Sequence, residues 1–196
     1  MHLLLKGSLP LPIYAAMLRN LHALYEALEP ALQRHQADAC IARFSAPGLD
    51  RTPSLVADLE VLGPPGWRDA LPLEPAAQRY ATRLRALGDA GSRRLIAHAY
   101  VRYLGDLNGG QALKRLVCKQ YGLAGDEGTA FYEFGSAENV AGLRHKLRTG
   151  LAEMRLPADE VDNVVAEACD AFVWHIELFE QLMQRHLPGG AAQLSG

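Results

Sequence analysis

An arginine and an aspartate four residues apart lie in a stretch that is helical in pattern and yet rich in glycine. The stretch reads HAYVRYLGDLNGGQ over residues 98–111, and its spacing places Arg102 and Asp106 on one helical face. The simplest interpretation is an ion pair that stabilises the helix by roughly 0.2–0.5 kcal/mol.

The glycines of this stretch need a further explanation. Gly105 and Gly109 are also four residues apart, and each glycine in a helix interior costs about 1 kcal/mol relative to alanine. A glycine face lets the backbone closely approach either a flat ligand or another helix. Packing between helices accounts for the glycines but gives no reason for Asp106 between them, so both interpretations stay open on spacing alone.

A basic run, Arg144-His145-Lys146-Leu147-Arg148, offers a second kind of chemistry. Arg144 and Arg148 share a helical face, and guanidinium groups bind carboxylates or phosphates through paired hydrogen bonds. A solvated surface has the same pattern, so the run predicts either an anion clamp or an exposed face.

The seven histidines form no HExxH motif and no paired His–Glu spacing of a metal site. His175 lies in the apolar segment AFVWHIELF, where a hydrogen-bonded core histidine is a simpler interpretation than a metal ligand. The surroundings of four others predict surface positions for His22, His35, His145 and His186.

The composition fits one globular domain. The chain has 196 residues, of which 49% are apolar and 21% charged, with a net charge of -2. This balance argues against disorder and provides no basic field for nucleic acid. No P-loop is present and no GxGxxG follows a strand, so no motif supports nucleotide binding.

The cysteines and apolar runs predict a cytoplasmic protein that does not associate with membranes. Cys40, Cys118 and Cys169 form no CxxC pair, which is typical of reduced cysteines. No apolar run reaches about 18 residues, the length of a membrane span. The first residues lack the pattern of a signal peptide.

Apolar residues recur at three- and four-residue spacing, which predicts helices along most of the chain. The predicted helices cover residues 13–34, 52–62, 75–88, a span from an N-cap at Ser92 through the glycine-rich stretch, 136–154 and 158–186. Residues 131–134 alone have an extended character. We therefore predict a single-domain, all-α helical bundle over residues 1–190 and a mobile tail over 191–196.

These features together resemble the heme oxygenase family. The stretch HAYVRYLGDLNGGQALKR is similar to that family's signature. Further similar segments follow in the family's order, namely LYEALE at residues 24–29, PAAQRY at 75–80 and the segment 171–180. The resemblance covers nearly the whole chain, from about residue 4 to residue 187.

The resemblance implies a heme oxygenase-like helical bundle with heme between two helices. A proximal helix supplies a histidine ligand to the iron, and a distal helix kinked at glycines covers the other face. It also implies that heme is both cofactor and substrate. O2 and electrons from a ferredoxin or a flavoprotein reductase then convert heme to biliverdin, CO and iron.

The resemblance assigns roles to the candidate residues. Gly105 and Gly109 let the distal helix approach the porphyrin, and Asp106 anchors a water network that delivers protons. The other network members are Arg102, Tyr25, Tyr80 and His175. The family has asparagine where this chain has His175, whose charge can change near neutral pH. The residues expected near the heme propionates are Arg144 and Arg148, assisted by Tyr100.

The iron ligand is the point at which the chain departs from the family. The proximal histidine belongs to a helix that precedes the segment where this chain begins, and no residue here matches it. Either the start is assigned too late or truncated, or a short homologue uses another ligand, or the homologue is catalytically inactive. His2 is the nearest histidine, although terminal residues fray.

Three classes of function follow from these observations. The resemblance favours a heme oxygenase. A non-catalytic tetrapyrrole-binding or regulatory homologue is the alternative that would fit a missing ligand. A purely structural helical protein, in which the glycines only pack helices, is the third.

Overall fold

The computed structural model describes residues 8–186, which form seven α-helices and two short 3-10 helices. The α-helices are α1 (Leu11–Arg34), α2 (Thr52–Leu62), α3 (Trp67–Ala70), α4 (Pro75–Asp89), α5 (Leu95–Tyr121), α6 (Ala137–Ala152) and α7 (Ala158–His186). The described residues contain no strand, which confirms the all-α prediction. None of these helices is long and apolar enough to cross a membrane. The predicted tail and His2 lie outside the described residues.

Most helix boundaries agree with the sequence prediction because local signals mark them. Pro75 opens α4, where its missing N–H is not needed. The Ser136 hydroxyl accepts a hydrogen bond of 3.2 Å from the Asn139 N–H and so caps α6. The N-cap predicted at Ser92 is wrong, since α5 begins at Leu95 directly after Arg94.

The extended character predicted for residues 131–134 is wrong for the first part of that segment, which belongs to the 3-10 helix Ala130–Tyr132. The reason is a distant acid. The buried Asp58 of α2 accepts hydrogen bonds from the backbone N–H groups of Ala130 and Phe131, at 2.7 and 2.8 Å. These bonds satisfy the first free donors of the turn and keep it tight.

A buried arginine binds carbonyl groups of the same segment, residues 131–134. The guanidinium of Arg51 is 4% exposed and stacks 3.9 Å from the ring centre of Phe134. It donates hydrogen bonds of 2.6–3.2 Å to the carbonyl oxygens of Gly48, Leu49, Phe131 and Glu133. Carbonyl groups outside regular helices thereby gain partners inside the protein.

Helix α1 is the centre of the bundle and packs against α2 and α4. It is apolar around most of its circumference, so even a histidine on it is buried. His22 is fully buried with its ring 5.1 Å from that of Trp67, and burial lowers the pKa of His22 to about 4. The surface position predicted for His22 is therefore wrong.

The other predicted surface histidines differ in environment. His145 is exposed, as predicted. His35 is half-buried and its ring nitrogen lies 2.6 Å from the Gly88 carbonyl oxygen. The structure does not describe the side chain of His186.

Gly88 lies where α4 meets α1, at a place too tight for a side chain. A β-carbon at Gly88 would lie 2.7 Å from that of Ala31, whereas one at Gly142 in α6 would meet no atom within 4 Å. We expect Gly88→Ala to lower the free energy of unfolding by about 1–3 kcal/mol. The control Gly142→Ala should raise it by up to about 1 kcal/mol. Urea unfolding measures both values, and equal effects would contradict the close contact.

Candidate active site

Side chains from three helices meet around the guanidinium of Arg102 on α5. Its Nη2 donates to Asp106 Oδ1 at 2.9 Å, and its Nε donates to the Tyr25 hydroxyl at 3.3 Å. Its Nη1 contacts Nε2 of His175, and the Tyr25 hydroxyl donates to Asp106 Oδ2. Tyr25 comes from α1 and His175 from α7, so the structure brings together four of the five predicted catalytic residues.

The charges of this cluster are held away from water. The side chains of Arg102 and Asp106 are only 10% and 12% exposed. Burial raises the pKa of Asp106, and the nearby Arg102 opposes that effect. Burial also disfavours charge on Arg102, but Asp106 and Tyr25 outweigh it and raise the pKa of the arginine. The guanidinium therefore stays charged and is the counterion of Asp106.

Tyr80, the fifth predicted residue, belongs to a neighbouring cluster. Its hydroxyl lies 3.0 Å from Nδ1 of His98, whose Nε2 lies 3.1 Å from the Glu167 carboxylate. Arg83 donates two hydrogen bonds to that carboxylate, at 2.9 and 2.6 Å. The Tyr80 and His175 rings pack edge to face with their centres 5.6 Å apart, and this contact joins the two clusters.

Sequence reasoning missed His98 and Glu167. His98 precedes Arg102 by four residues and Asp106 by eight, so the three lie on one face of α5, and this spacing could have identified His98. Glu167 is 69 residues away from His98, and no sequence pattern connects the two.

A cleft of about 240 Å³ opens beside the Arg102 cluster. Its polar rim includes Asp106 and His175, and Gly105 contributes bare backbone. Its apolar wall consists of Met17, Leu21, Val101, Leu113, Phe131, Tyr132, Phe172 and Phe179. The wall suits a flat, mostly apolar ligand, and Phe172 is 55% exposed where the cleft meets the surface.

The glycines of α5 are of two kinds, although the helix continues through all of them. A β-carbon at Gly110 would lie 3.7 Å from Tyr132, so Gly110 packs against protein. A β-carbon at Gly105 or Gly109 would meet nothing within 4 Å. Packing between described helices therefore does not explain Gly105 and Gly109. Their open face lies next to Asp106 in the chain.

The residues predicted to bind propionates lie away from the cleft lining. Arg144 is half-buried and Arg148 exposed on α6, and Tyr100 is half-buried on α5. Neither arginine forms a salt bridge within residues 8–186. Their part in ligand binding stays a prediction. Residues 8–186 also hold no group of three or more His, Cys, Asp or Glu side chains placed to bind a metal.

The fold and the cleft define an all-α protein with an open glycine face beside a buried, arginine-paired acid. The family model described as heme oxygenase matches residues 1–181. Heme oxygenase 1 of Nostoc sp. is 33% identical over 178 residues, which cover 91% of this chain and 75% of that protein. The chain therefore belongs to the heme oxygenase family.

Solved structures agree with this assignment. Heme oxygenase-2 from Synechocystis sp., in complex with heme and NO, has a TM-score of 0.87 and 34% identity, covering 93% of this chain and 76% of that chain. Heme oxygenase-1 from Synechocystis sp., in complex with heme, has a TM-score of 0.86 and 30% identity, covering 94% and 83%. The predictions of family and fold class are confirmed.

Glu167 provides a test of the second cluster. Burial works against its charge, but hydrogen bonds from Arg83 and His98 lower the pKa of Glu167 from 4.5 to about 2. Because the folded pKa lies below the unfolded one, this stabilisation is present above pH 4.5 and is lost as the pH falls towards 2.

We therefore expect Glu167→Gln to lower the free energy of unfolding at neutral pH by about 1–3 kcal/mol. The difference from the wild type should shrink as the pH falls below 4.5. Denaturant unfolding across this pH range measures the difference, with the exposed Glu180→Gln on the same helix as control. A difference independent of pH would contradict the assigned pairing.

Proposed function

We propose that this protein is a heme oxygenase that converts heme to biliverdin and releases CO and iron. The observation that carries the proposal is the open face of Gly105 and Gly109 beside Asp106, in a chain of the heme oxygenase family. Heme is cofactor and substrate at once, and its iron supplies the activation of O2. The protein's own residues bind and orient the ring and control the proton supply.

Binding of the ring rests on the apolar cleft. Phe131, Phe172 and Phe179 provide aromatic surface for a porphyrin, and burying such surface stabilises the complex. The bare backbone at Gly105 and Gly109 lets α5 lie against the ring without side chains in between. Close backbone on one side also restricts how the ring is oriented.

Proton delivery rests on Asp106. Its carboxylate accepts hydrogen bonds from Arg102 and Tyr25, and it also lines the cleft. A carboxylate has about four acceptor sites, so capacity is left for water on the cleft side. We propose that this water, ordered by Asp106, passes protons towards the bound substrate. Arg102 keeps the carboxylate in place, and Tyr25 fixes its second oxygen.

The remaining roles complete the proposal. Arg144 and Arg148, assisted by Tyr100, bind the heme propionates, which is consistent with two guanidinium groups that lack salt bridges within residues 8–186. The electron donor is a ferredoxin or a flavoprotein reductase. We place the reaction in the cytoplasm, where the free cysteines stay reduced.

Replacing Asp106 separates binding from turnover. We expect Asp106→Ala to keep heme affinity, because the ring contacts are unchanged, and to lower biliverdin formation by about 100-fold or more. Hemin titration at the Soret band measures affinity, and biliverdin absorbance after addition of reductant and O2 measures turnover. The control is Asp162→Ala, an exposed position on α7. Wild-type biliverdin yield in Asp106→Ala would refute the water-network role.

Replacing Gly109 tests the close approach of the backbone. Because the site of its β-carbon is empty, Gly109→Leu should fold with wild-type helix content and thermal stability. We expect its side chain to occupy the ring position and weaken hemin binding by about tenfold or more. Gly142→Leu on α6 is the matched control, since its β-carbon site is equally empty. Unchanged affinity in Gly109→Leu would disprove the close approach.

A further inference from the structure

We propose that His175 is a positioning residue that acts through Arg102. As a neutral imidazole protonated on Nδ1, it accepts a hydrogen bond from the guanidinium and thereby fixes the group that holds Asp106. The inference rests on the role proposed above for Asp106, and it adds a tautomer and a charge state to a position where the resembled family has asparagine.

The tautomer follows from the hydrogen-bond partners. An arginine side chain carries only donors, so the His175 nitrogen that meets Arg102 Nη1 must be an acceptor. That nitrogen is Nε2, which leaves the proton on Nδ1. Nδ1 lies 3.3 Å from the carbonyl oxygen of Ala171, one turn earlier on α7, and donates to it. Both ring nitrogens thus have a partner only when the imidazole is neutral.

The position of Arg102 depends on this contact. Each of its three nitrogens meets a different residue, namely Tyr25 at Nε, Asp106 at Nη2 and His175 at Nη1. The last of these partners is the only member of the cluster on α7. Loss of the His175 contact leaves the guanidinium free to turn about its bonds to Tyr25 and Asp106, and the carboxylate then loses its fixed direction.

The surroundings of His175 favour the neutral form. The titratable groups that face it from the helices packed against α7 are Tyr80 of α4 and His98 and Arg102 of α5, while Asp106 of α5 lines the same cleft. The group in direct contact is the Arg102 cation, and no described carboxylate bonds to the imidazole. Burial, and then the charge of Arg102, lower the pKa of His175 well below 6.5.

Acid therefore breaks this contact. A protonated His175 has no acceptor for Arg102 and brings two cations together, whereas an asparagine carbonyl at this position accepts the bond at any pH. His175 thus makes the orientation of Asp106 dependent on pH. The orientation changes only at acidic pH, where the imidazole becomes protonated.

The tautomer is measured on the full chain without heme. Long-range ¹H–¹⁵N NMR spectra of the labelled protein report which nitrogen of each histidine carries the proton, and His175→Asn identifies the signal. We expect an Nδ1–H tautomer with a titration midpoint below 6.5. An Nε2–H tautomer, or a midpoint at or above 6.5, overturns the inference. The control His145→Asn, at an exposed site, should leave the His175 signals unchanged.

The positioning role is measured on the heme-loaded protein. We expect His175→Leu to lower biliverdin formation by about tenfold or more, and His175→Asn to restore part of it. The ratio of the His175→Asn rate to the wild-type rate should stay constant above pH 6.5 and rise only as the pH falls well below 6.5, where His175 takes up a proton. A wild-type rate in His175→Leu, or a ratio that already changes above pH 6.5, overturns the role.

Different results would contradict the proton-network role of Asp106 and the positioning role of His175. If Asp106→Ala keeps wild-type turnover, the proton-network function itself is wrong. If Asp106→Ala is inactive and the NMR spectra place the proton on Nε2, only the inference about His175 is wrong. If His175→Leu does not fold, the spectra of the wild-type protein still decide the tautomer.

Discussion

A positive charge buried where three helices meet is the constraint on which the site depends. A guanidinium in the protein interior is destabilising by several kcal/mol unless it is paired and fully hydrogen-bonded. Arg102 satisfies that demand with a carboxylate on its own helix, a hydroxyl on α1 and an imidazole on α7. The relative positions of α1, α5 and α7 are therefore coupled to the chemistry of one side chain.

This arrangement also divides α5 into a packed side and an open side. Gly110 faces Tyr132, where a β-carbon would lie at an ordinary contact distance of 3.7 Å. At Gly105 the absence of a side chain leaves bare backbone along the cleft, and a β-carbon at Gly109 would likewise meet nothing within 4 Å. Gly105 and Gly109 thus differ from Gly110 in what a side chain at each position would meet. Asp106 lies between these two glycines in sequence, and the ion pair with Arg102 fixes the direction of its side chain.

Local signals made much of the fold and part of the site predictable. The four-residue spacing of Arg102 and Asp106 predicted their ion pair, and Ser136 predicted the start of α6. Contacts between distant segments could not be predicted in this way. Glu167 binds His98 across 69 residues, and Arg51 reaches the carbonyl of Phe131 across 80. Neither contact leaves a periodic pattern, because each depends on how helices meet in space.

The segment of residues 130–134, which precedes α6, contributes Phe131 and Tyr132 to the cleft wall. Its position is set by Asp58, which bonds the N–H groups of Ala130 and Phe131, and by Arg51, which bonds the carbonyls of Phe131 and Glu133. This part of the wall thus depends on two parts of the chain, residues 130–134, which contribute Phe131 and Tyr132 to it, and residues 48–58, which support that segment without lining the cleft. In chimeras between relatives, these two parts form one exchangeable module. A transplanted wall segment keeps its shape only when the loop with its arginine and the helix with its aspartate come from the same parent.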